Sequence, residues 1–363
     1  MIQRCISILT RVRHLGAGRV FLFLLLTTML HADPELDALL NAVAPRIPKW
    51  ATVCIVSEKE GKPEFQWHDY QETGTRTDFW PASTIKLYTA IAALERIKEH
   101  GFTLDTTIQF EHQDKDGTWH LDCARTMREM LSEVFRRSSN EDYTLLLRVC
   151  GVDWLNSSFL TPGRGFQKSA LMRGYVKERP WVYMREEPQR LRLSSADGTR
   201  THTLDHHWLG HSWSQERGCT VIDVKTGNMT TPRDLAECLR RLMFHAQIPE
   251  SERFKLSQEE VDFLVHGGLG FTGLETQHAD SAPNAWKSAL ETLFPKARFY
   301  HKCGIINDYS LEVACLDDRA NGGPCFILVP IMQAGSATKP VSGGALTGQM
   351  SLAIGQWVKK QHP

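Results

Sequence analysis

The stretch FWPASTIKLYTAIAALE (residues 79–95) carries a hydroxyl and an amine three residues apart at the start of an otherwise apolar helix. Residues at this spacing lie on one helix face, one turn above the other. The amine of Lys86 could therefore accept the proton of the Ser83 hydroxyl, which is what a weak nucleophile requires. A core helix needs neither side chain there, so the pair predicts a nucleophilic serine with a lysine base.

Two later segments offer partners for this pair. The run SSN places Ser138 and Asn140 at a junction between two predicted helices, where both can face a cleft. The run HKCG, at the end of a predicted strand, offers Lys302 as a cation, and Gly304 would allow a ligand to approach the backbone closely. Ser-x-x-Lys alone occurs by chance on many helices, so the prediction of a nucleophilic serine depends on the partners that follow in order.

The periodicity of apolar residues predicts the elements that hold these motifs. The order is a helix, a hairpin turning at 61–63, the Ser83 helix ending before Gly101, a helical middle, three late strands and a closing amphipathic helix. This order predicts an α+β sandwich, in which an antiparallel sheet built from both chain ends is flanked by the terminal helices. An all-helical subdomain is inserted between them. Residues 163–230 are less regular and suggest a further insertion, with a ribbon turning at 196–198.

The three motifs in this order resemble those of the serine β-lactamases and penicillin-binding D,D-peptidases, nearest to class A. The motifs of that family are Ser-x-x-Lys, Ser-x-Asn and Lys-Thr-Gly. The stretch TTPRDLAECLRRLM is also similar to the class A segment in which Thr-Thr-Pro precedes an amphipathic helix. The resemblance covers most of the chain from about residue 33, apart from the insertion.

The resemblance implies a role for each matched residue. Ser83 would be the acylating nucleophile, Lys86 the base, and Ser138 the relay that hands a proton to the leaving nitrogen. Asn140 would hydrogen-bond the amide side chain of the substrate, and Lys302 would attract its carboxylate.

The backbone near the third motif would complete the site. An oxyanion would rest on the N–H groups of Ser83 and Ile305, the residue after Gly304, and losing one such donor costs roughly a hundredfold or more in rate. The motif itself departs from the family, because Cys303 stands where a hydroxyl usually helps to hold the carboxylate. A thiol is a weak donor, so we expect carboxylate recognition to be altered.

Two further segments resemble family motifs but differ from them in position or in one residue. Residues 225–227 spell Lys-Thr-Gly, but they precede the Thr-Thr-Pro helix start instead of ending a late strand, so context favours Lys302 as the lysine of the third motif.

The run MREEPQRLRL offers Glu187 as the base for deacylation, although Leu191 stands where the family has Asn. The alternative is a solvent-facing Glu187 at the start of a ribbon. In that case an acyl-enzyme would turn over slowly or transfer to another acceptor.

The N-terminus is typical of an export signal. Several arginines precede the apolar run 20–30, and a small residue, Ala32, follows it. The run is too short for a bilayer span, which needs about 20 residues, but suits a signal-peptide core. We therefore expect a signal peptide at 1–32 and one hydrolase domain at 33–363, periplasmic or secreted, with an uncleaved anchor as the alternative. No membrane span remains after signal removal.

Composition narrows the partners. The chain has 363 residues, with 42 basic and 42 acidic side chains, which favours no nucleic acid partner. Eight cysteines follow the signal and permit disulfides, but they lack the paired spacing of a zinc site. His207 and His211 are four apart, yet Gly210 argues against a helix that would bring them together on a metal. We expect no metal, no cofactor and a monomer.

Two classes of function follow. The first is an exported serine hydrolase that forms an acyl-enzyme at Ser83 and hydrolyses a β-lactam or a related amide, with a D-Ala-D-Ala-type carboxypeptidase or transpeptidase as the alternative. The second is a non-catalytic domain of the same fold that binds cell-wall peptide or a protein partner. Replacing Ser83 by Ala separates them, because a binder would keep its affinity.

Overall fold

The computed structural model describes residues 33–178, 186–221, 223–270, 285–306, 308–333 and 343–362. The expected signal peptide lies outside these residues. The described helices are α1 (Pro34–Ala42), α2 (Lys86–Lys98), α3 (Met127–Arg136), α4 (Asn140–Cys150), α5 (Val152–Trp154), α6 (Trp213–Glu216), α7 (Pro232–Met243), α8 (Gln258–Asp262), α9 (Ala285–Glu291) and α10 (Gly343–Gln361). The strands are β1 (Lys49–Lys59), β2 (Lys62–Asp69), β3 (Thr107–Gln113), β4 (Trp119–Thr126), β5 (Gln189–Ser194), β6 (Thr201–His206), β7 (Arg298–Ile306), β8 (Tyr309–Asp317) and β9 (Cys325–Gln333).

The main sheet has five antiparallel strands in the order β2-β1-β9-β8-β7. Its strands come from both ends of the chain, which confirms the predicted fold class. The hairpin of β1 and β2 turns at Glu60 and Gly61, both at positive φ, as a two-residue turn between right-twisted strands requires. Strand β7 forms one edge of this sheet, beside the short 3-10 helix Ala82–Ile85.

Apolar side chains cover both faces of the main sheet. One face packs under α1, α9 and α10, with Trp286 and Trp357 among its fully buried residues. The other face joins a larger core that includes α2, α3, α4 and α7. Residues of β7 alternate between these two cores, so each face of that strand meets a different environment.

Helix α2 runs through the middle of the larger core, and nearly all of its side chains are buried. One buried acid on it, Glu95, accepts two hydrogen bonds from the guanidinium of Arg164 at 2.7 and 2.8 Å. It also accepts one from the backbone N–H of Lys255 at 2.7 Å. A buried carboxylate paired in this way costs far less than an unpaired one, so α2 is held rigidly under the site.

The predicted junction of two helices is present at residues 137–139. Thr126 and Glu129 form a capping box that starts α3. Ser139 caps α4, its Oγ accepting from the N–H of Asp142 at 3.1 Å. These caps satisfy backbone donors that the helices leave open, and thereby fix the register of the intervening turn.

The inserted subdomain is not all-helical, because it carries a second antiparallel sheet in the order β4-β3-β5-β6. The β5–β6 ribbon turns at 196–198 as predicted, with Gly198 at positive φ. The β3–β4 hairpin was not predicted, although its turn contains Asp116 and Gly117, a pair that favours hairpins. Leu191, which stands at the position of the family Asn, is a fully buried residue of β5.

The eight cysteines within the described residues form no disulfide with one another. Within the same ranges, none of the helices combines the length and the apolar character that crossing a bilayer demands.

Candidate active site

Ser83 lies on the 3-10 turn that precedes α2 and lines a cavity of 450 Å³. We call this the Ser83 cavity; its described lining residues are Trp80, Ala82, Ser83, Asn140, Arg173, Gly174, Tyr175, Lys177, Ile305 and Ile306. Ala82 has φ +46°, a left-handed conformation that costs a non-glycine residue energy. The hydroxyl of Tyr175 donates to the Ala82 carbonyl at 2.7 Å and so helps to hold this strained turn.

Lys86 is fully buried behind the cavity wall. Its Nζ hydrogen-bonds Asn140 Oδ1 at 2.7 Å, Ser138 Oγ at 3.2 Å and the Ser138 carbonyl. These partners all belong to the SSN motif, and Ser83 Oγ is not among the hydrogen-bond partners that Nζ has within the described residues. Burial, reinforced by the positive charge of Lys302, lowers the pKa of Lys86 well below its usual value of 10.5. A lysine with a lowered pKa supplies the neutral amine that a base requires.

The hydroxyl of Ser138 lies between two lysines. Lys302 Nζ donates to Ser138 Oγ at 2.9 Å, and Lys86 Nζ lies 3.2 Å from the same oxygen. An ammonium group can only donate, so with Lys302 charged the hydroxyl proton of Ser138 is directed to a neutral Lys86. Ser138 itself has φ +51°, another strained residue at the site. The three side chains thus form a continuous path for a proton.

Gly304 lets β7 approach the turn that carries Ser83. A Cβ at Gly304 would lie 3.0 Å from the backbone nitrogen of Ser83 and 3.1 Å from that of Thr84, closer than real Cβ atoms tolerate without movement of the neighbour. The sequence predicted that a ligand approaches the backbone at this glycine. The structure shows that the backbone of the serine turn fills it, with Ile305 next along the strand, 49% exposed at the cavity.

Cys303 is buried and stands opposite Glu312 in the pairing register of β7 and β8. Because neighbouring strand residues point to opposite faces, Cys303 shares the face of Glu312, whereas Lys302 points to the face that holds Ser138. The backbone carbonyl of Cys303 accepts from Lys302 Nζ at 2.9 Å. The structure thus brings Cys303 next to the site through its backbone.

Behind β7 lies a buried pair of titratable groups. Trp286 Nε1 donates to His301 Nδ1 at 3.1 Å, and Glu312 Oε2 lies 3.0 Å from the same nitrogen. Burial lowers the pKa of His301 to about 3 and raises the pKa of Glu312 well above its usual value. Both pKa shifts favour the neutral form of the group concerned.

The Lys-Thr-Gly run at 225–227 lies elsewhere, in a turn. The backbone carbonyl of Lys225 accepts from the hydroxyl of Ser214 at 3.2 Å, and Thr226 Oγ1 donates to Asp223. Order and context in the sequence favoured Lys302 over Lys225, and the structure places Lys302 against Ser138.

Glu187 is not brought to the Ser83 cavity. It lines a separate cavity of 670 Å³, which we call the Glu187 cavity; the lining residues are Gln113, Asp114, Lys115, Asp116, Glu186, Glu187 and Pro188. The physical reason is strand pairing: β5 begins at Gln189, opposite His112 of β3, so the residues just before it stay at that end of the second sheet. The expected role of Glu187 in deacylation thus gains no support from its position.

Sequence reasoning missed the segment that forms one wall of the Ser83 cavity. Tyr175 and Tyr143 place their rings 5.9 and 5.8 Å from Lys86 Nζ, and Arg173 and Lys177 line the cavity beside them. The run LMRGYVKE matches none of the family motifs weighed above, and its residues meet the site only through the fold. These rings help to bury the amine of Lys86, and burial lowers its pKa.

The fold and this cluster define a serine hydrolase fold of the β-lactamase and penicillin-binding type. Residues 66–358 match the sequence profile described as the Beta-lactamase enzyme family. The chain belongs to that family. No curated protein matches the chain.

Solved structures agree on the fold at low sequence identity. A β-lactamase from Sphaerobacter thermophilus is 15% identical with a TM-score of 0.53, covering 89% of this chain and 96% of its own. A class A β-lactamase representative from Bacteroides cellulosilyticus is 13% identical with a TM-score of 0.54, covering 90% and 98%. PBP-A is 18% identical with a TM-score of 0.53, covering 91% and 98%, and a mutant of it was solved as an acyl-enzyme complex with penicillin G.

Proposed function

We propose that this protein is an exported serine hydrolase. Its Ser83 would open a β-lactam or a related cell-wall amide to form an acyl-enzyme, which would release the acyl group slowly. The observation that carries acylation is the path from Lys302 through Ser138 to Lys86 directly behind the Ser83 turn. Export rests on the expected signal peptide at 1–32.

In the proposed reaction, Ser83 Oγ bonds to the carbonyl carbon and the bond from that carbon to nitrogen breaks. The serine proton passes to neutral Lys86. Ser138 then gives its own proton to the leaving nitrogen and takes one from Lys86, so no net charge is created. The developing oxyanion would be held by the backbone N–H groups of Ser83 and Ile305, and Lys302 would attract a substrate carboxylate.

Slow release follows from the charges around the cavity. Hydrolysis of an acyl-enzyme requires a base to activate water, and a carboxylate is the usual one in class A enzymes. Among its described residues, the lining of the Ser83 cavity holds no Asp or Glu, and Tyr175 fills the wall beside Lys86. This supports penicillin-binding or peptidase-like behaviour over fast β-lactam hydrolysis.

Intact-mass spectrometry of the purified protein mixed with benzylpenicillin tests the proposal. We expect an adduct of the whole drug that lasts, and none in Ser83→Ala. An adduct that decays quickly to hydrolysed drug would instead indicate a β-lactamase. The absence of any adduct would contradict acylation by penicillins and favour the non-catalytic binder.

A further inference from the structure

Strand β7 gives the proposed reaction a direction. Lys302 Nζ bonds to the hydroxyl of Ser138, and in that reaction Ser138 protonates the leaving nitrogen, so the nitrogen of the substrate lies at this end of the site. The carbonyl oxygen lies at the N–H groups of Ser83 and Ile305. Ile305 follows Lys302 by three residues, about 10 Å along a strand. The acyl group leaves the carbonyl on the side away from the nitrogen and therefore extends past Ile305.

The side chain of Ile305 is open to solvent at this point. It is 49% exposed and lines the Ser83 cavity. Leu121, Leu209 and Val224 are the other large apolar side chains that are exposed among the described residues, and they lie outside the lining of that cavity. A single exposed apolar residue is ordinary on a protein surface and by itself indicates no site.

Three further apolar or aromatic side chains line the cavity together with Ile305. Ile306 follows it and packs partly against the larger core, and Trp80 and Tyr175 contribute aromatic rings. The bond from the hydroxyl of Tyr175 to the Ala82 carbonyl, at 2.7 Å, fixes its ring beside the Ser83 turn. The volume of 450 Å³ lies within the range of about 300–1,000 Å³ for small-molecule sites, whose walls are mostly apolar and aromatic.

The charges on the same lining are accompanied by charges of the opposite sign. Hydrogen bonds from Thr226 lower the pKa of Asp223, and the positive charge of Arg173 acts in the same direction, so this acid lies near the guanidinium. Lys177 is exposed to water, and the exposed Glu178 follows it directly. The charge of this wall therefore favours neither sign of acyl group, and apolar surface remains as the basis for selection.

We propose that Ile305, together with Ile306 and Trp80, selects substrates whose acyl group is apolar. This rests on the proposed function, which sets the position of the carbonyl and the direction of the acyl group. An apolar chain that reaches these side chains leaves water, and each buried CH₂ favours binding. The β-branched side chain of Ile305 has few rotamers, so little conformational entropy is lost when a ligand covers it.

Three amides of one penicillin nucleus test this proposal, with acetyl, butanoyl and hexanoyl acyl groups. They differ only in the number of CH₂ groups, so their charge and their hydrogen-bonding groups stay the same. We expect the second-order rate constant for adduct formation to rise roughly twofold to fourfold for each added CH₂, the range for a CH₂ that becomes half to fully buried. Rate constants that do not change with chain length would overturn the proposal.

Variants assign the effect to Ile305. Ile305→Ser keeps the backbone N–H and removes the apolar surface, so it should lower the hexanoyl rate more than the acetyl rate and flatten the dependence on chain length. Ile305→Val should restore most of that dependence. Leu209→Ser, at a side chain that is 80% exposed outside the cavity, should behave as the wild type. An equal loss for all three amides in Ile305→Ser would mean that the side chain only holds the strand in place, and would overturn the proposal.

Equilibrium binding to Ser83→Ala separates this proposal from the proposed function. Calorimetry with the same three amides needs no acyl-enzyme, and we expect the affinity to rise with chain length. If no amide forms an adduct but the affinities keep this order, acylation fails and the apolar selection stands. If adducts form but neither rates nor affinities depend on chain length, the apolar selection fails and acylation stands. If no amide binds at all, both fail.

Discussion

The Ser83 cavity and the Glu187 cavity differ in charge and in the elements that build them. The first is lined by two cations and backs onto two buried lysines, while the second is lined by Asp114, Asp116, Glu186 and Glu187. The carboxylate that sequence reasoning assigned to deacylation lies in the acidic cavity. The groups that could form an acyl-enzyme and the acid that was expected to hydrolyse it thus line different cavities.

The carboxylates of the two regions also differ in protonation. Hydrogen bonds from Thr118 lower the pKa of Asp116 at the rim of the Glu187 cavity. Burial raises the pKa of Glu312, behind Lys302. Burial thus favours the protonated form of Glu312, which is not the form that accepts a proton.

The largest effect is expected from removing the base. Lys86→Gln should lower the rate constant for benzylpenicillin adduct formation by a factor of about 10² to 10⁴, the usual contribution of a general base. In the wild type this rate should rise with pH, because only neutral Lys86 accepts a proton, and it should level off well below pH 10.5, since burial lowers the pKa of Lys86. Stopped-flow or mass-spectrometric rates across pH measure both. A variant with wild-type rates would show that another group is the base.

A smaller effect should follow from adding a carboxylate to the cationic cavity. Tyr175→Glu places an acid beside Lys86 and should speed release of the penicilloyl group by about tenfold, less than an evolved general base provides. Tyr175→Gln is the matched control, because it loses the same hydroxyl bond to Ala82 without gaining an acid. Mass spectrometry over time measures the decay of the adduct in both variants. Equal decay in the two variants would mean that the cavity does not admit water.

The neutral state of Glu312 predicts a pH-dependent gain in stability for Glu312→Gln. The folded-state pKa of Glu312 is raised, so folding keeps a proton that the unfolded chain loses above pH 4.5, and stability falls as pH rises. Gln has a similar shape and does not titrate. The variant should gain free energy of unfolding by up to about 1.4 kcal/mol per pH unit between pH 4.5 and the raised pKa. Urea unfolding at pH 5 and pH 8 measures this. A difference that is the same at both pH values would contradict a neutral Glu312.

The smallest effect is expected at the other cavity. Glu187→Gln should leave adduct formation and adduct decay nearly unchanged, because Glu187 lines a different cavity from Ser83. Rates for benzylpenicillin measured beside the wild type provide the check. A tenfold slower decay would show that Glu187 is the deacylation base after all. Its carboxylate would then have to reach the acyl group in the Ser83 cavity.

The sequence by itself determined the fold class and the core of the candidate site. Ser83 and Lys86 share a helix turn, Ser138 and Asn140 share a helix start, and Lys302 and Gly304 share a strand. Local spacing indicated each pair, and the order of the three motifs along the chain distinguished them from chance matches. The cap at Thr231, followed by Pro232, is a local signal as well, and it marks a helix start that the structure shows. Local geometry is what a sequence encodes most directly.

The tertiary structure alone decided which of these groups meet and what surrounds them. Arg173 and Tyr175 reach the site because Gly174 packs on Thr144. These two residues are 30 positions apart in the sequence, and no local pattern encodes their contact. Glu187 is held away from the site because β5 pairs with β3, and strand pairing is a long-range choice. The protonation of Lys86 and Glu312 depends on burial, which exists only once the two cores have closed around β7.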